Sequence, residues 1–537
     1  MTRDVDQLVL DRIIAAGRQR GITRRSFVAH ATAAGLTVPA ATGLWTSKVS
    51  ASTPSQGGKF RVAVQDANTS DTHDPGQYLS VFMIQLAHCS RSYLCAIEPD
   101  GSLGPDMADS WSASPDAKVW TFELNQNASF HDGRKFTSKD ALASIRHHLG
   151  EDSTSAAASL LSNVVDVRAD GDFTLVIELD QGLADLPYIL TDYHIAVVPA
   201  DGDGNADWEG GIGAGPYRIT SFNPGVGAEL VKHDGWHGTG AWFDAVDLVA
   251  INDPNARQSA IIAADVDANT SVEYRTFQRL AQNPNIEVLN LPSGSAITCP
   301  MHVDKAPFDD NNVRMAMKLS MDRDELNEKI FFNAGTVGND FHISPNMPYY
   351  PEGIEQRSYD PDKAKFHLKE AGLDSLELNM SASDSVQPGA VDFVTLYSEQ
   401  AKAAGINITP VRESGDGYWA DVWLKKPFMF SSWGGRPTPD VIFSLAYQTG
   451  AAWSEAFWSN ERFDELLLQA KAELDDGLRA DMYREMCMIA RDDGGSIIPH
   501  FTNYVYAHLT TIGRPDVIGN TWELDGARAY QRWWFKS

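Results

Sequence analysis

A strand, a turn and the start of a helix can be recognised in residues 119–140, VWTFELNQNASFHDGRKFTSKD. Apolar and polar residues alternate over 119–124, which is the period of a half-buried strand. The Asp-Gly pair at 132–133 then favours a turn. Thr137 stands three residues before Asp140, a capping-box spacing that is typical of a helix start. The stretch therefore predicts a strand followed by a helix.

The same two periods recur along the chain. Strands are predicted at 59–65 and 172–179, where apolar residues run together or alternate. One helix is predicted to begin in the polar run 309–312, and another is predicted to begin after Asn460 and to end at Gly477. Because strands and helices are interleaved, the sequence predicts the α/β class.

The composition sets limits on partners. The chain has 537 residues, enough for three or four domain-sized units, and 43% of them are hydrophobic. Its formal net charge is −28 and its isoelectric point is about 4.8. An acidic chain of this kind is poorly suited to nucleic acid or to anionic lipid surfaces, so neither is expected as a partner. No run of 18 apolar residues follows the N-terminal region, and no membrane-spanning helix is expected there.

An export signal is predicted in residues 1–51. The paired arginines at 24–25, followed by Phe27 and by the weakly apolar, uncharged segment 26–47, resemble a twin-arginine signal. Small residues predict cleavage after Ala51. This resemblance implies the twin-arginine translocase as a partner during export and the periplasm as the destination. The alternative is an arginine pair at the end of a surface helix.

The four cysteines matter because an exported protein meets an oxidising compartment. Cys89 and Cys95 are six residues apart, and a disulfide between them is possible if the chain turns back. Cys299 and Cys487 stand in apolar surroundings, so both are expected to be buried free thiols. No Cys-x-x-Cys motif is present.

The sequence contains no recognisable catalytic or metal-binding signature. The motifs His-Glu-x-x-His, Gly-x-Ser-x-Gly and the P-loop are absent. The glycine run 211–215 is followed by Pro216, which opposes the helix that a dinucleotide loop must open. The acidic loop 201–207 begins like a calcium loop but lacks glycine at its sixth position. We therefore expect no enzymatic activity, no cofactor and no bound metal.

Aromatic residues are concentrated in the segment 418–458, which holds five of the 14 tryptophans. Most aromatic side chains belong to protein cores, and that remains the alternative here. The run 433–440, WGGRPTPD, nevertheless excludes a helix or a central strand. A tryptophan in such a loop suits a cleft wall that is apolar with a few fixed polar groups. We expect Trp433 and Trp453 to contribute to a binding site.

Four blocks of the sequence carry a family resemblance. They are 107–116, 120–140, 213–217 (GAGPY) and 306–323, and they occur in the family's order. The chain resembles the family-5 extracellular solute-binding proteins that serve peptide- and nickel-type ABC importers. The similarity runs from about Lys59 to the C-terminus.

The resemblance implies a type II periplasmic binding protein with two α/β lobes and an extra subdomain inserted in lobe one. Lobe one is expected to comprise 52–75, 196–292 and 507–537, and the inserted subdomain 76–195. Lobe two is expected to span 293–506. It would include the two crossings between the lobes, near 293–301 and 499–506.

The expected ligand follows from one departure from the family pattern. In peptide-binding relatives, an aspartate three residues after this tryptophan pairs with the peptide's α-amino group. Here Trp433 matches, but the aspartate position holds Arg436. A guanidinium cannot accept an ammonium group, whereas it binds a carboxylate or a phosphate bidentately. A carboxylate-bearing solute, or a peptide in the opposite orientation, is therefore expected, unless Arg436 simply pairs with Asp440.

Three function classes follow from these observations. The favoured one is a non-catalytic, monomeric periplasmic receptor that captures a small peptide or another carboxylate-bearing solute and delivers it to an ABC permease. An exported hydrolase is the second, and a binder of a metal chelate, haem or an opine-like compound is the third. The predicted ligand-binding residues are Trp433, Arg436, Asp440, Trp453, Tyr78 and His302.

Overall fold

The fold was analysed in a computed structural model that describes residues 54–150, 153–415, 418–473 and 475–537. The predicted export signal, residues 1–51, lies outside this part of the chain. Helices and strands are interleaved, which confirms the predicted α/β class. Among the described residues, no helix has both the length and the apolar character needed to cross a membrane.

The strands are distributed along the whole of the described chain. They are β1 Lys59–Val64, β2 Cys95–Ile97, β3 Leu103–Pro105, β4 Ala108–Ala113, β5 Val119–Leu124, β6 Val164–Ala169, β7 Thr174–Leu179, β8 Tyr217–Asn223, β9 Gly227–Lys232, β10 Ala245–Ala250, β11 Ala268–Asn269, β12 Ile286–Pro300, β13 Gly335–Val337, β14 Leu376–Ala382, β15 Ile406–Arg412, β16 Ser431–Trp433, β17 Ser496–Leu509, β18 Ile512–Gly513 and β19 Trp534–Phe535.

The helices fill the intervals between the strands. They are α1 Val81–Ser90, α2 Ser138–Arg146, α3 Leu186–Ile189, α4 Pro254–Ile262, α5 Phe277–Leu280, α6 Asn311–Leu319, α7 Arg323–Lys329, α8 Pro361–Glu370, α9 Ala390–Ala401, α10 Tyr418–Asp421, α11 Pro439–Ala446, α12 Glu461–Ala472, α13 Asp476–Asp493 and α14 Ala529–Arg532. Short 3-10 helices occupy Pro75–Gln77, Ala158–Leu161 and Lys402–Ala404.

The largest sheet has nine strands in the order β16-β12-β17-β11-β1-β10-β9-β8, with β13 also paired to β17. Its two long members, β12 and β17, are antiparallel and pair from Ile286↔Leu509 to Pro300↔Ser496. The ladder is interrupted between Pro292 and Ala296. Since β17 pairs with β11 at one end and with β13 at the other, these two strands run through both halves of the molecule.

Separate apolar cores distinguish the two lobes. The first-lobe core surrounds β1 and includes Phe60, Tyr217 and Trp533. The second-lobe core lies around β14, β15 and α9. The four-stranded sheet β4-β5-β7-β6 forms a further unit between α1 and β8 in the sequence. This arrangement is the two-lobe α/β architecture that the sequence predicts.

The four-stranded unit packs against helices of the second lobe. Its core is continuous with apolar side chains of α11, α12 and α13. Two polar contacts cross the boundary: Asp185 pairs with Arg479 at 2.9 Å, and the backbone N–H of Ala184 donates to the carbonyl of Lys471 at 2.8 Å. The lobes are therefore in contact, as in a closed binding protein.

Several local predictions are confirmed, and one is wrong. Strands lie at the three predicted positions, and Thr137 and Asp140 form the predicted capping box of α2. The helix that Asn460 caps ends at Ala472, before the predicted stop at Gly477. Asp475 caps a new helix by accepting from the backbone N–H groups of Gly477 and Leu478, so Gly477 lies in a first turn. The sequence signal that the prediction missed is Asp475, which caps this second helix.

All four cysteines are buried free thiols. Cys89 lies on α1 and Cys95 on β2, and burial raises the pKa of the Cys89 thiol well above its usual value. The possible Cys89–Cys95 disulfide is not formed.

Candidate functional site

A cavity lies between the two lobes. The second lobe contributes Gly435, Arg436, Pro437 and Val441. The opposite wall consists of Ile97, Leu160, Tyr188, Ile189, Thr191, Asp192, Tyr193, Thr521 and Trp522. The predicted tryptophan loop therefore faces the first lobe and the four-stranded unit.

The loop that follows Trp433 is held close to the sheet by glycine. Trp433 is the last residue of β16 and pairs with Ala296 of β12. The backbone of Gly435 packs so closely on Gly294 that a Cβ at Gly435 would lie 3.3 Å from the Gly294 main chain. A side chain there would push the loop away. The glycines thus place Arg436 at the cavity.

Arg436 is oriented by its own loop. Its Nη1 donates to the carbonyls of Gly434 and Gly435, at 3.1 and 3.2 Å, and its guanidinium lies 5.8 Å from the centre of the Trp433 ring. Its Nε is buried without a hydrogen-bond partner. No described carboxylate forms an ion pair with it. The guanidinium is thus positioned and has capacity for an anionic group.

The alternative pairing of Arg436 with Asp440 is wrong. Asp440 lies in the first turn of α11 with 2% of its surface exposed, and its nearest cation is Lys471, at 3.9 Å. Burial raises the pKa of Asp440 to about 6. The helix turns this carboxylate toward the boundary with the four-stranded unit. The structure therefore does not bring Asp440 to the cavity, contrary to the sequence prediction.

Trp453 supports Trp433 from behind. The two ring centres are 6.0 Å apart, and a second 6.0 Å contact joins Trp453 to Trp423. Trp423 in turn contacts Trp419, whose surface is 50% exposed. Trp453 itself is absent from the cavity wall. It belongs to an aromatic row that buttresses Trp433.

A buried carboxylate beneath this row was missed by sequence reasoning. Glu455 accepts hydrogen bonds from Thr298 Oγ1 at 2.8 Å, Trp423 Nε1 at 2.7 Å and Ser431 Oγ at 2.5 Å. Burial raises its pKa, while the donors of Ser431, Trp423 and Thr298 oppose that rise. Glu455 therefore joins β12, β16 and the aromatic row. No local pattern distinguishes Glu455 from the other charged residues of the segment, such as Asp421 and Lys425.

Tyr78 and His302 do not line the cavity. Tyr78 is buried in the first-lobe core and its hydroxyl donates to the carbonyl of His73 at 3.1 Å. His302 is buried against Phe457, 4.7 Å between ring centres, and burial lowers its pKa to about 4. Among the described residues, no three His, Cys, Asp or Glu side chains are grouped to hold a metal ion.

The first-lobe wall was not predicted at all. Trp522 and Tyr193 meet edge to face, with ring centres 5.4 Å apart. Beside them, Asp192 is half-buried and accepts from His194 Nδ1 at 2.7 Å. Burial opposes its ionisation, but His194 and more weakly Arg436 outweigh this and hold the pKa of Asp192 below its usual value. The cavity therefore has a cationic side and an anionic side.

Comparisons with known proteins agree with this architecture. The family model for bacterial extracellular solute-binding proteins, family 5, matches residues 102–455. The dipeptide-binding protein of Escherichia coli (strain K12) is 22% identical over 436 residues, covering 73% of this chain and 80% of that protein.

Two solved structures share the fold. An ABC transporter-associated periplasmic binding protein from Helicobacter pylori, in complex with the peptide STSA, has a TM-score of 0.79 at 19% identity, covering 90% of this chain and 99% of its own. A periplasmic binding protein from A. tumefaciens R10, in complex with agropinic acid, has a TM-score of 0.77 at 21% identity, covering 89% and 99%.

Because the family model matches residues 102–455, about two thirds of the chain, this protein belongs to the bacterial extracellular solute-binding proteins of family 5.

Proposed function

We propose that this protein is the periplasmic receptor of an ABC importer and that it captures a carboxylate-bearing solute in the cavity between its lobes. Family membership supports the receptor role, and the proposal includes no catalytic step. The observation that carries the ligand class is Arg436. It lies in the cavity wall, is fixed by its own loop, and has a buried Nε without a partner.

A guanidinium in this setting favours a planar anion. Its fork matches a carboxylate, and exclusion of water strengthens the pair. The ligands named for the two similar structures, a peptide and agropinic acid, both carry a carboxyl group. The charge at position 436 argues against a peptide whose α-amino group binds at this loop. A peptide in the reverse orientation and an opine-like acid are both consistent with it.

A metal chelate or haem receives less support. The histidine considered for that role, His302, is buried away from the cavity, and the cavity wall contains no histidine. The aromatic and aliphatic side chains of the wall instead suit an organic ligand with an apolar portion.

Export and domain division remain proposals. We infer twin-arginine export and cleavage after Ala51, since the signal resembles that class; N-terminal sequencing of periplasmic protein should begin at Ser52, and an uncleaved N-terminus would contradict it. The proposed inserted subdomain, 76–195, contains the four-stranded sheet, and the proposed crossings fall within β12 and β17. We propose a monomer as the working form.

The test is to identify and remove the carboxylate contact. Protein purified from native periplasm is denatured, and the released compounds are identified by mass spectrometry; a carboxylate-bearing compound is expected. Arg436→Ala should weaken its binding about 10- to 150-fold, because a charge-assisted bond contributes roughly 1.5–3 kcal/mol. Arg436→Lys should recover only part of the affinity.

The matched control is Arg168→Ala, since Arg168 lies on the four-stranded sheet and forms only exposed ion pairs. It should bind as wild type does. Equal affinity in Arg436→Ala and wild type would contradict the carboxylate site.

A further inference from the structure

A second cavity lies beside the one that Arg436 lines. The two cavities share part of their walls, including Trp522. All the residues that line the second cavity fall within 88–99, Thr191 and 519–532, which belong to the proposed first lobe and its inserted subdomain. The second cavity is therefore built without the second lobe, and its wall does not depend on contact between the lobes.

An arginine without a partner lines this second cavity. Arg528 is half-buried, and within the described chain its guanidinium forms neither an ion pair nor a hydrogen bond. Its neighbour in the wall, Arg532, is committed: it donates from Nη1 to Asp525 at 2.7 Å and from Nη2 to the carbonyl of Val517 at 2.8 Å. A free guanidinium offers five N–H donors in a fork that suits an oxyanion.

A buried histidine on the same wall also lacks a partner. His88 is 8% exposed, and its Nε2 has no hydrogen bond within the described chain. The ring of Tyr93 lies 5.1 Å from it, centre to centre, and the buried Tyr93 hydroxyl is unpartnered as well. Buried polar groups are normally hydrogen-bonded, so two such atoms side by side indicate a missing partner.

The protonation state of His88 suits an anion. Burial, and to a lesser degree the charge of Arg528, lower the pKa of His88 to about 3, so the ring is neutral near pH 7. A neutral imidazole can hold its proton on Nε2 and donate it to an acceptor. His88 and Arg528 thus offer donors to the same cavity from two distant parts of the chain.

A strained turn holds Arg528 in place. Residues 524–527, directly before it, have φ values of 54°, 66°, 67° and 58°, and only one of the four is glycine. This left-handed conformation is unfavourable for other residues and persists where the surroundings enforce it. The buried Asp525 carboxylate enforces it by accepting from the backbone N–H of Gly519 at 2.6 Å and from Trp533 Nε1 at 3.0 Å.

The carboxylates of the wall leave Arg528 uncompensated. Asp525 is occupied by the donors just described and by Arg532. Glu98, which follows β2, is exposed and forms no ion pair with Arg528 within the described chain. Because solvent screens an exposed charge, Glu98 opposes an anion in the cavity only weakly.

We propose that this second cavity binds a small oxyanion between Arg528 and His88, at a site separate from the cavity of Arg436. The oxygens accept from the guanidinium fork and from His88 Nε2. Phosphate, sulfate and a carboxylate group share this chemistry. The bound anion joins α1 to the C-terminal segment and braces Trp522, which both cavities share. The proposal does not depend on which solute Arg436 binds.

The test is calorimetry of the full mature protein with defined probes. Sulfate, inorganic phosphate and acetate are titrated separately, at an ionic strength held constant with sodium chloride. At least one probe should bind at Arg528 with one-to-one stoichiometry. Preference for sulfate or phosphate identifies a free inorganic anion as the occupant, whereas preference for acetate identifies the acidic group of an organic molecule.

Variants assign the anion to its donors. Arg528→Ala should weaken binding about 10- to 150-fold, and Arg528→Lys should recover part of the affinity. His88→Gln should weaken it about three- to tenfold, since it removes one neutral donor. Glu98→Gln should tighten it about 1.5- to 5-fold. Arg218→Ala is the matched control, because Arg218 on β8 is exposed and forms no ion pair in the described chain, and it should bind as wild type does.

Thermal denaturation separates binding from folding. An anion that binds only the folded protein raises Tm as its concentration rises. Without a probe, Arg528→Ala should melt at or above the Tm of wild type, because it removes a half-buried charge that nothing compensates. The probe should then raise the Tm of wild type and leave that of Arg528→Ala unchanged. If Arg528→Ala is less stable without a probe, Arg528→Lys and Glu98→Gln decide the question.

Arg436→Ala distinguishes the two cavities. Binding that persists in Arg436→Ala and is lost in Arg528→Ala supports the second site, whatever solute the first cavity takes. Binding that is lost in Arg436→Ala and persists in Arg528→Ala overturns the second site and leaves the proposed carboxylate site standing. Failure of wild type to bind any of the three probes also overturns the second site.

Discussion

The two walls of the cavity differ in how they are assembled and in whether the buried polar groups near them are hydrogen-bonded. The second-lobe wall is one continuous segment, in which Arg436 is held by its own loop and by glycine contacts, and the filled Glu455 network lies behind it with donors from Thr298, Trp423 and Ser431. The first-lobe wall is assembled from distant segments around Tyr193 and Trp522, and Glu523, which follows Trp522 in sequence, is buried with its Oε2 lacking a hydrogen bond. A satisfied network fixes geometry, whereas an unsatisfied group retains binding capacity. The second-lobe side is thus fixed by satisfied polar groups, whereas the first-lobe side retains an unsatisfied one.

The largest expected effect on stability comes from removing Glu455, the acceptor at the centre of the hydrogen-bonded network. Glu455→Ala leaves the donors of Thr298, Trp423 and Ser431 buried without an acceptor, and each such group costs roughly 1–3 kcal/mol. We expect the free energy of unfolding to fall by roughly 3–5 kcal/mol in chemical denaturation. Glu465→Ala, which removes an exposed carboxylate on α12, is the control and should change it by less than about 0.5 kcal/mol. A small effect of Glu455→Ala would show that the second wall does not depend on this carboxylate.

A smaller effect is expected where the walls are held together. Asp185→Ala removes the partner of Arg479 across the boundary and leaves its guanidinium in contact only with its own lobe, over the Tyr349 ring. Losing one member of a buried pair costs roughly 2–5 kcal/mol, and opening lets Arg479 regain water. We expect a larger radius of gyration in small-angle scattering of the ligand-free protein and weaker ligand binding.

The control for this prediction is Asp166→Ala, which breaks an exposed pair with Arg168 on the same unit. Its scattering curve should match that of wild type. If Asp185→Ala also matches wild type, the two walls are held together by apolar packing alone.

The smallest effect is expected from moving the second wall slightly. Gly435→Ala places a Cβ 3.3 Å from the main chain of Gly294, so the loop must shift by a few tenths of an ångström. We expect a three- to tenfold loss of ligand affinity, about 1 kcal/mol, measured by calorimetry. Gly202→Ala meets no atom within 4 Å and should bind as wild type does. Unchanged affinity in Gly435→Ala would mean that the loop tolerates displacement.

Much of the fold and the second-lobe wall of the cavity were predictable from sequence, because the signals that define them are local. Caps, turns and alternation are local, so β5, α2 and the loop after Trp433 could be located directly. The first-lobe wall joins residues near 97, 190 and 522, and only folding brings these together. The prediction that Asp440 lies at the cavity is wrong for the same reason. Asp440 is four residues from Arg436 in sequence, but the start of α11 turns it to the other side.

The interrupted ladder between β12 and β17 has a mechanical consequence. The pairing is continuous from Ile286 to Pro292, and a second, smaller register shift lies between Ile297 and Cys299, so the irregular part of the ladder, where bending is easiest, is the stretch from Pro292 to Cys299. Ser293 and Ser295 bond across this point, to the carbonyl of Thr502 at 2.6 Å and to the hydroxyl of Tyr504 at 3.1 Å. Gly294, between them, supports the loop that carries Arg436. The proposed carboxylate site and the irregular part of the ladder are therefore adjacent, so a ligand held by Arg436 would act directly on the residues about which the proposed crossings bend.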